Sequence, residues 1–204
     1  MFIGKWNKSV ILTYVGLIIS IFGMYIAKTY NTDMKYAYIC LIFAGICDMF
    51  DGFVARKCKR TEEEKNFGVE LDSLVDVISF VVLPIIIMLC MGLDKWYDII
   101  IFALYAICGV ARLGYFNILV ADASNPVKYY YGMPVTFVAL IYPIFFILTL
   151  FVNMELFKVL LAIITFAIAA LFVLKIKIKK PKGVSYVFYS ALAIIVTLIY
   201  MFAL

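Results

Sequence analysis

The sequence predicts an all-α fold: a polytopic transmembrane helical bundle of about seven spans (six to eight), with a cytoplasmic N-terminus. Three observations lead there. The 204-residue chain is 67% hydrophobic with a mean hydropathy of +1.08, whereas a soluble domain of this length is nearer half apolar. Its apolar residues form continuous runs rather than alternating ones, and in lipid such runs satisfy their backbone groups only as helices. Its basic residues are spread unevenly between those runs, which orients a membrane chain.

The runs fall at residues 10–27, 36–56, 67–92, 96–120, 133–152, 156–174 and 184–203, each close to the roughly 20 residues a bilayer crossing requires. The first could pass for a secretory leader. It lacks a small-residue cleavage site and further spans follow, so it is expected to be a retained anchor. A kinked span split in two, or a last segment lying along the membrane, would change the count by one. With the N-terminus inside, 13 of the 18 lysines and arginines fall in inner segments. Only Lys28, Lys35, Lys95 and Lys158 fall outside, and Arg112 lies within a span. The loop at residues 56–65 is therefore expected on the cytoplasmic face. The longest polar stretch, residues 57–65, is too short to fold alone, so residues 1–204 are expected to form one integral-membrane domain.

Composition also narrows the chemistry. Histidine is absent and the five cysteines form no CxxC pair, which removes histidine triads and the usual zinc sites. Cys40, Cys47, Cys90 and Cys108 lie in apolar runs and read as small hydrophobes. The basic KIKIKKPK run at residues 175–182 sits between two spans, where it serves as a topology signal and an anionic-lipid contact; no nucleic acid is implied.

The carboxylates carry the functional signal. Asp48, Asp51, Gly52, Ala55 and Arg56 share one face of the second helix, at i, i+3, i+4, i+7 and i+8. Gly68, Asp72 and Asp76 follow at i, i+4 and i+8 on the third, and Ser79 falls on the same face. An antiparallel pair joined by a short loop would bring four carboxylates together at the cytoplasmic edge. Glu62, Glu63, Glu64, Lys57, Lys59 and Lys65 read as solvated charges at helix ends. Asp48 and Asp51 do not, because they lie a turn or more inside an apolar run, where ionisable groups usually carry function. Mutually close anions need neutralising, and an all-oxygen set suits Mg²⁺ or Mn²⁺, with room for two ions sharing carboxylates. Gly52 and Ala55 leave space for a flat ligand, and Arg56 can meet a phosphate bidentately.

DMFDGFVAR (residues 48–56) and GVELDSLVD (residues 68–76) together resemble the D-x-x-D-G-x-x-A-R … G-x-x-x-D-x-x-x-D signature of the CDP-alcohol phosphotransferases at all eight fixed positions. The 11-residue spacer is longer than the family's usual eight, and its TEEE stretch is expected to enlarge the loop without altering either helix. The resemblance implies displacement of CMP from a CDP-linked donor by an alcohol, with divalent metal. By position it implies Asp48, Asp51 and Asp72 as metal ligands and Asp76 as both ligand and general base. It places Gly52, Ala55, Arg56 and Gly68 on the side of the CDP-linked lipid. Thr13, in NKSVILTYVG, matches part of a first-span nucleotide motif whose proline is missing. A homodimer is also implied.

The acceptor is read from neighbouring residues. FGVELDSLVDVISFVVLP (residues 67–84) resembles membrane-bound phosphatidylserine synthases, with weaker likeness in ARLGYFN (residues 111–117) and YGMPV (residues 131–135). The last two spans contribute only hydrophobicity and lysines to it. That likeness implies CDP-diacylglycerol as donor and L-serine as acceptor. A serine carboxylate among aspartates needs a cation. Arg112 would supply it, or would instead partner an internal aspartate or a backbone carbonyl. Lys128 is a second candidate, and Ser79 and Asn117 are possible polar linings. The alternatives are another acceptor (glycerol phosphate, inositol phosphate or an amino alcohol) and, from a different class, a cation or proton transporter.

Overall fold

A computed structural model describes residues 4, 7–30, 33–121, 129–179 and 184–203. Among them the expected helical bundle is present, with helices α1 (Ile11–Thr29), α2 (Lys35–Lys57), α3 (Glu62–Asp76), α4 (Leu83–Cys90), α5 (Trp96–Ala121), α6 (Val138–Phe146), α7 (Met154–Val173) and α8 (Val184–Phe202). Five helical stretches are long and apolar enough to cross a membrane: Lys8–Thr29, Lys35–Lys57, Glu62–Cys90, Trp96–Leu119 and Met154–Val173. Two shorter apolar ones, Val135–Leu150 and Val187–Phe202, fall where the fifth and seventh runs of the chain lead one to expect helices. Exposed Ile18, Phe22, Ile107 and Phe166 give the bundle an apolar exterior suited to lipid. Among the described residues, strand structure is confined to a ribbon in which β1 (Tyr129–Tyr131) pairs antiparallel with β2 (Lys177–Lys179).

Helices α1 and α2 approach closely because α1 buries only small side chains on one stripe: Thr13, Gly16, Ser20, Gly23 and Ala27. A Cβ on Gly16 would stand 3.3 Å from Cys47 Cβ, and one on Gly23 only 2.9 Å from Cys40 Cβ. Such stripes let backbones pack where lipid offers no hydrophobic drive. The packing brings the first turn of α1 against the C-terminal part of α2, where Thr13 meets Asp51.

The extra residues in the spacer do something other than enlarge the loop. Thr61 Oγ1 accepts from Glu64 N at 3.2 Å, and Thr61 N donates to Glu64 Oε2 at 2.7 Å. This capping box starts α3 at Glu62, five residues before the expected boundary, with Glu62–Glu64 favourably placed at the helix N-terminus. The insertion therefore lengthens the helix and leaves the connection short.

After Asp76 the same span passes through a π-helical segment, Val77–Val82, before continuing as α4. Its cause is Pro84, which has no N–H to give the carbonyl four residues back, that of Phe80. Leu83 N instead donates to Ile78 O, and Tyr105 Oη on α5 donates to Phe80 O. Removing that donor leaves a buried carbonyl unsatisfied. Tyr105→Phe is expected to destabilise the folded protein by about 1–3 kcal/mol, read as a lower melting temperature in detergent. In a Pro84→Ala background, where residue 84 regains its N–H, the same substitution should cost less.

Gly132 follows β1 with φ +74, and a Cβ there would collide with the Phe172 carbonyl. Glycine alone accepts both constraints. Met133 N then donates to Leu171 O at 2.9 Å, which ties the YGMP segment to the end of α7 and leads the chain into the functional cavity.

Candidate active site

A cavity of about 340 Å³ opens between the C-terminal half of α2, α3 and the C-terminal half of α5, with the start of α6 and part of α8 behind it. From α2 it receives Asp48, Asp51, Gly52 and Arg56, and from α3 Asp72, Ser73 and Asp76. Arg112, Phe116 and Asn117 line the α5 wall. Gly45 belongs to the α2 wall because that helix crosses α6 so tightly that a Cβ would strike Ala139.

The four aspartates come together unequally. Asp48, Asp72 and Asp76 each offer a carboxylate oxygen within 4.8 Å of the others. Asp48 lies within hydrogen-bonding reach of Asp76, and Asp51 of Asp72. Asp51 stands slightly apart, buried, where Thr13 Oγ1 donates to its Oδ2 at 2.9 Å. The all-oxygen composition and close spacing of the trio fit a hard divalent cation, and fit zinc or copper poorly.

Arg112 is buried on α5, with its guanidinium 5.1 Å from the centre of the Phe116 ring and attracted by Asp48. It thus has an internal aspartate as neighbour while also bordering the cavity. Arg56 is exposed at the mouth, and its Nη1 lies 3.5 Å from where a Gly52 Cβ would stand. Gly52 is open to the cavity.

Other residues singled out from the sequence lie elsewhere. Thr13 is outside the main cavity and spends its hydroxyl on Asp51. Ala55 and Gly68 do not line it either; the open side of Gly68 faces Arg60 Nη1 at 3.8 Å. Ser79 is buried against α1, with its Oγ 2.7 Å from Ser20 Oγ, and does not border the cavity. It borders instead a much smaller pocket behind the aspartates, together with Thr13, Asp48, Asp51, Asp72 and Asp76. Lys128 lies outside the described residues.

Sequence reasoning missed three contributors. Ser73, between two aspartates, is hydrogen-bonded to Asn117: the Asn117 amide donates to Ser73 Oγ at 2.8 Å. Tyr189 and Ala193 of α8 close the rear of the cavity, so the last span supplies more than hydrophobicity. The DSL triplet drew notice to Ser73 only as a family mark, and nothing local to Tyr189 announces it.

Comparison with known proteins agrees with this geometry. A family model described as CDP-alcohol phosphatidyltransferase matches residues 6–203. The CDP-diacylglycerol–serine O-phosphatidyltransferase of Saccharomyces cerevisiae is 38% identical over 99 residues, covering 46% of this chain and 35% of the yeast protein. The archaetidylserine synthase of Methanothermobacter thermautotrophicus is 33% identical over 123 residues, 60% of this chain and 47% of that protein. A Bacillus subtilis CDP-diacylglycerol–serine O-phosphatidyltransferase is 33% identical over 102 residues, 48% of this chain and 54% of the relative. The matched stretches span about half, or less, of the length of these curated relatives.

Proposed function

The chain belongs to the CDP-alcohol phosphatidyltransferase family, and from that premise we propose that it is a phosphatidylserine synthase. It would transfer the phosphatidyl group of CDP-diacylglycerol to the hydroxyl of L-serine and release CMP. The observation that carries this reading is the pairing in one cavity of an aspartate cluster with a buried arginine, Arg112. The aspartates suit a charged diphosphate held through cations. Arg112 suits an acceptor that brings a carboxylate of its own.

In this reading Asp48, Asp51, Asp72 and Asp76 hold one or two Mg²⁺ or Mn²⁺ ions, with Thr13 orienting Asp51. Bound there, the ions neutralise the diphosphate and the charge that develops on departing CMP. Gly52 and Ala55 let the nucleotide approach α2, Arg56 contacts the diphosphate at the mouth, and Gly68 keeps the facing turn of α3 small. Arg112 binds the serine carboxylate and Asn117 lines the acceptor side. Asp76 takes the hydroxyl proton as the serine oxygen attacks the phosphorus bearing diacylglycerol; the bond from that phosphorus to the CMP oxygen breaks in line on the other side. The reaction needs no covalent enzyme intermediate. Residues 1–204 act as one domain, as a homodimer, with the cavity at the cytoplasmic face of the cell membrane.

A CMP-release assay on purified protein with CDP-diacylglycerol and a panel of acceptors tests this directly. L-serine with Mg²⁺ or Mn²⁺ should support release; glycerol 3-phosphate, inositol phosphate and ethanolamine should not. Turnover with one of those instead would reassign the acceptor, and ion flux without CMP release would point to a transporter. Arg112→Lys should raise the KM for serine about 10- to 100-fold while changing that for CDP-diacylglycerol little, because an ammonium does not reproduce a bidentate guanidinium. Equal weakening of both substrates would leave Arg112 as a structural partner of Asp48.

A further inference from the structure

We propose that Ser73 and Asn117 form a clamp that sets the positions of Asp72 and Asp76, making Asn117 a positioning residue for the cation site. The inference rests on the reading of the aspartates as that site. Ser73 lies directly after Asp72 and three residues before Asp76, on a neighbouring face of α3. It turns to α5, where the Asn117 amide donates to Ser73 Oγ at 2.8 Å and Asn117 Oδ1 stands 3.1 Å from the same hydroxyl. Either partner can donate, so the pair holds in both hydroxyl orientations.

The π segment explains the need for such a tie. A regular helix would transmit the packing of α4 rigidly to the aspartates one turn earlier. Here the ladder changes to the wider π register immediately after Asp76, and the aspartate-bearing turn gains from lateral support of its own. Helix α5 supplies it at two levels: Tyr105 bonds Phe80 within the π segment, and Asn117 bonds Ser73 before it. The order is antiparallel, with Asn117 about 18 Å along α5 from Tyr105 at 1.5 Å per residue. Helix α5 is itself packed along α7, with Phe172 against Tyr105 at 5.4 Å between ring centres, so it is a firm brace. Neither Ser73 nor Asn117 needs to touch a cation to act. They fix the backbone from which two ligands project, much as outer groups orient ligands in other metal sites.

The test is Mn²⁺ binding to the detergent-solubilised full chain, followed by electron paramagnetic resonance in the absence of substrate, alongside melting temperature. Ser73→Ala and Asn117→Ala should each weaken Mn²⁺ affinity by about 10-fold or more. The double variant should be no weaker than the worse single one, because the two side chains form one interaction. Ser73→Thr, which keeps the hydroxyl, should bind as the wild type does. Mn²⁺ affinity within about twofold of wild type in both alanine variants, or a lower melting temperature alone, would overturn the clamp while leaving the cation site standing. Wild-type protein that bound no Mn²⁺ would overturn both.

Discussion

Asp76→Asn is expected to lower phosphatidyl transfer by about 10²–10⁴-fold, the loss typical of a missing general base, while CDP-diacylglycerol still binds. A free hydroxyl is a poor nucleophile near neutral pH, so the acceptor needs a base within hydrogen-bonding reach. Asp76 is buried yet borders the cavity, one turn beyond Asp72 and facing Asp48. Asparagine fills the same space without accepting a proton. Asp48, Asp51, Asp72 and Arg56 remain to hold the donor, so the KM for CDP-diacylglycerol should move far less than kcat. Steady-state CMP release together with direct binding of the nucleotide-linked lipid separates the two quantities. Turnover near wild type would remove Asp76 from this role, and a phosphatidyl group trapped on any side chain would overturn direct transfer itself.

Much of this site is legible in the sequence because helical spacing is a geometric rule. Asp48 with Asp51, and Asp72 with Asp76, fall on single faces by counting alone, and a short polar connection forces the two helices to be antiparallel neighbours. The apolar runs predict the helices for an equally simple reason: in lipid the backbone has few alternatives. What counting loses is whatever depends on a distant partner. Counting puts Ser79 on the side of Asp76, and it does lie beside the aspartates, but it meets Ser20 of α1 there and stays out of the main cavity. The capping box in TEEE was present in the sequence as Thr61 and Glu64, yet a run of glutamates is easily taken for solvated loop. A motif points Thr13 to the nucleotide; that the small-residue stripe of α1 also brings its hydroxyl to Asp51 is announced by nothing local. Tyr189 lies more than 110 residues from the signature, and only the packing of α8 behind α6 reveals it.

The aspartates should also differ from one another in a way the spacing alone does not foretell. Chelation with EDTA is expected to abolish activity, and added Mg²⁺ or Mn²⁺ to restore it. Of Asp51→Asn and Asp72→Asn, the second should be the more damaging, by about 10²–10³-fold in kcat, comparable to removing one electrostatic contact to developing charge. Asp72 belongs to the trio whose oxygens lie within 4.8 Å of one another and also lies beside Asp51, so it links the two halves of the cluster. Asp51 stands outside the trio and is held by Thr13; Asp51→Asn keeps an oxygen that the Thr13 hydroxyl can still reach. Its loss should be smaller, and much of it recoverable by raising the Mn²⁺ concentration. Thr13→Val, which removes the donor but keeps the shape, should reproduce the same Mn²⁺-correctable defect in milder form. A Mn²⁺ titration of turnover for the four proteins reads all of this at once. Identical, uncorrectable losses for Asp51→Asn and Asp72→Asn would show that Asp51 joins the cation site as fully as the trio does. Full activity in thoroughly chelated buffer would remove the cations from the mechanism.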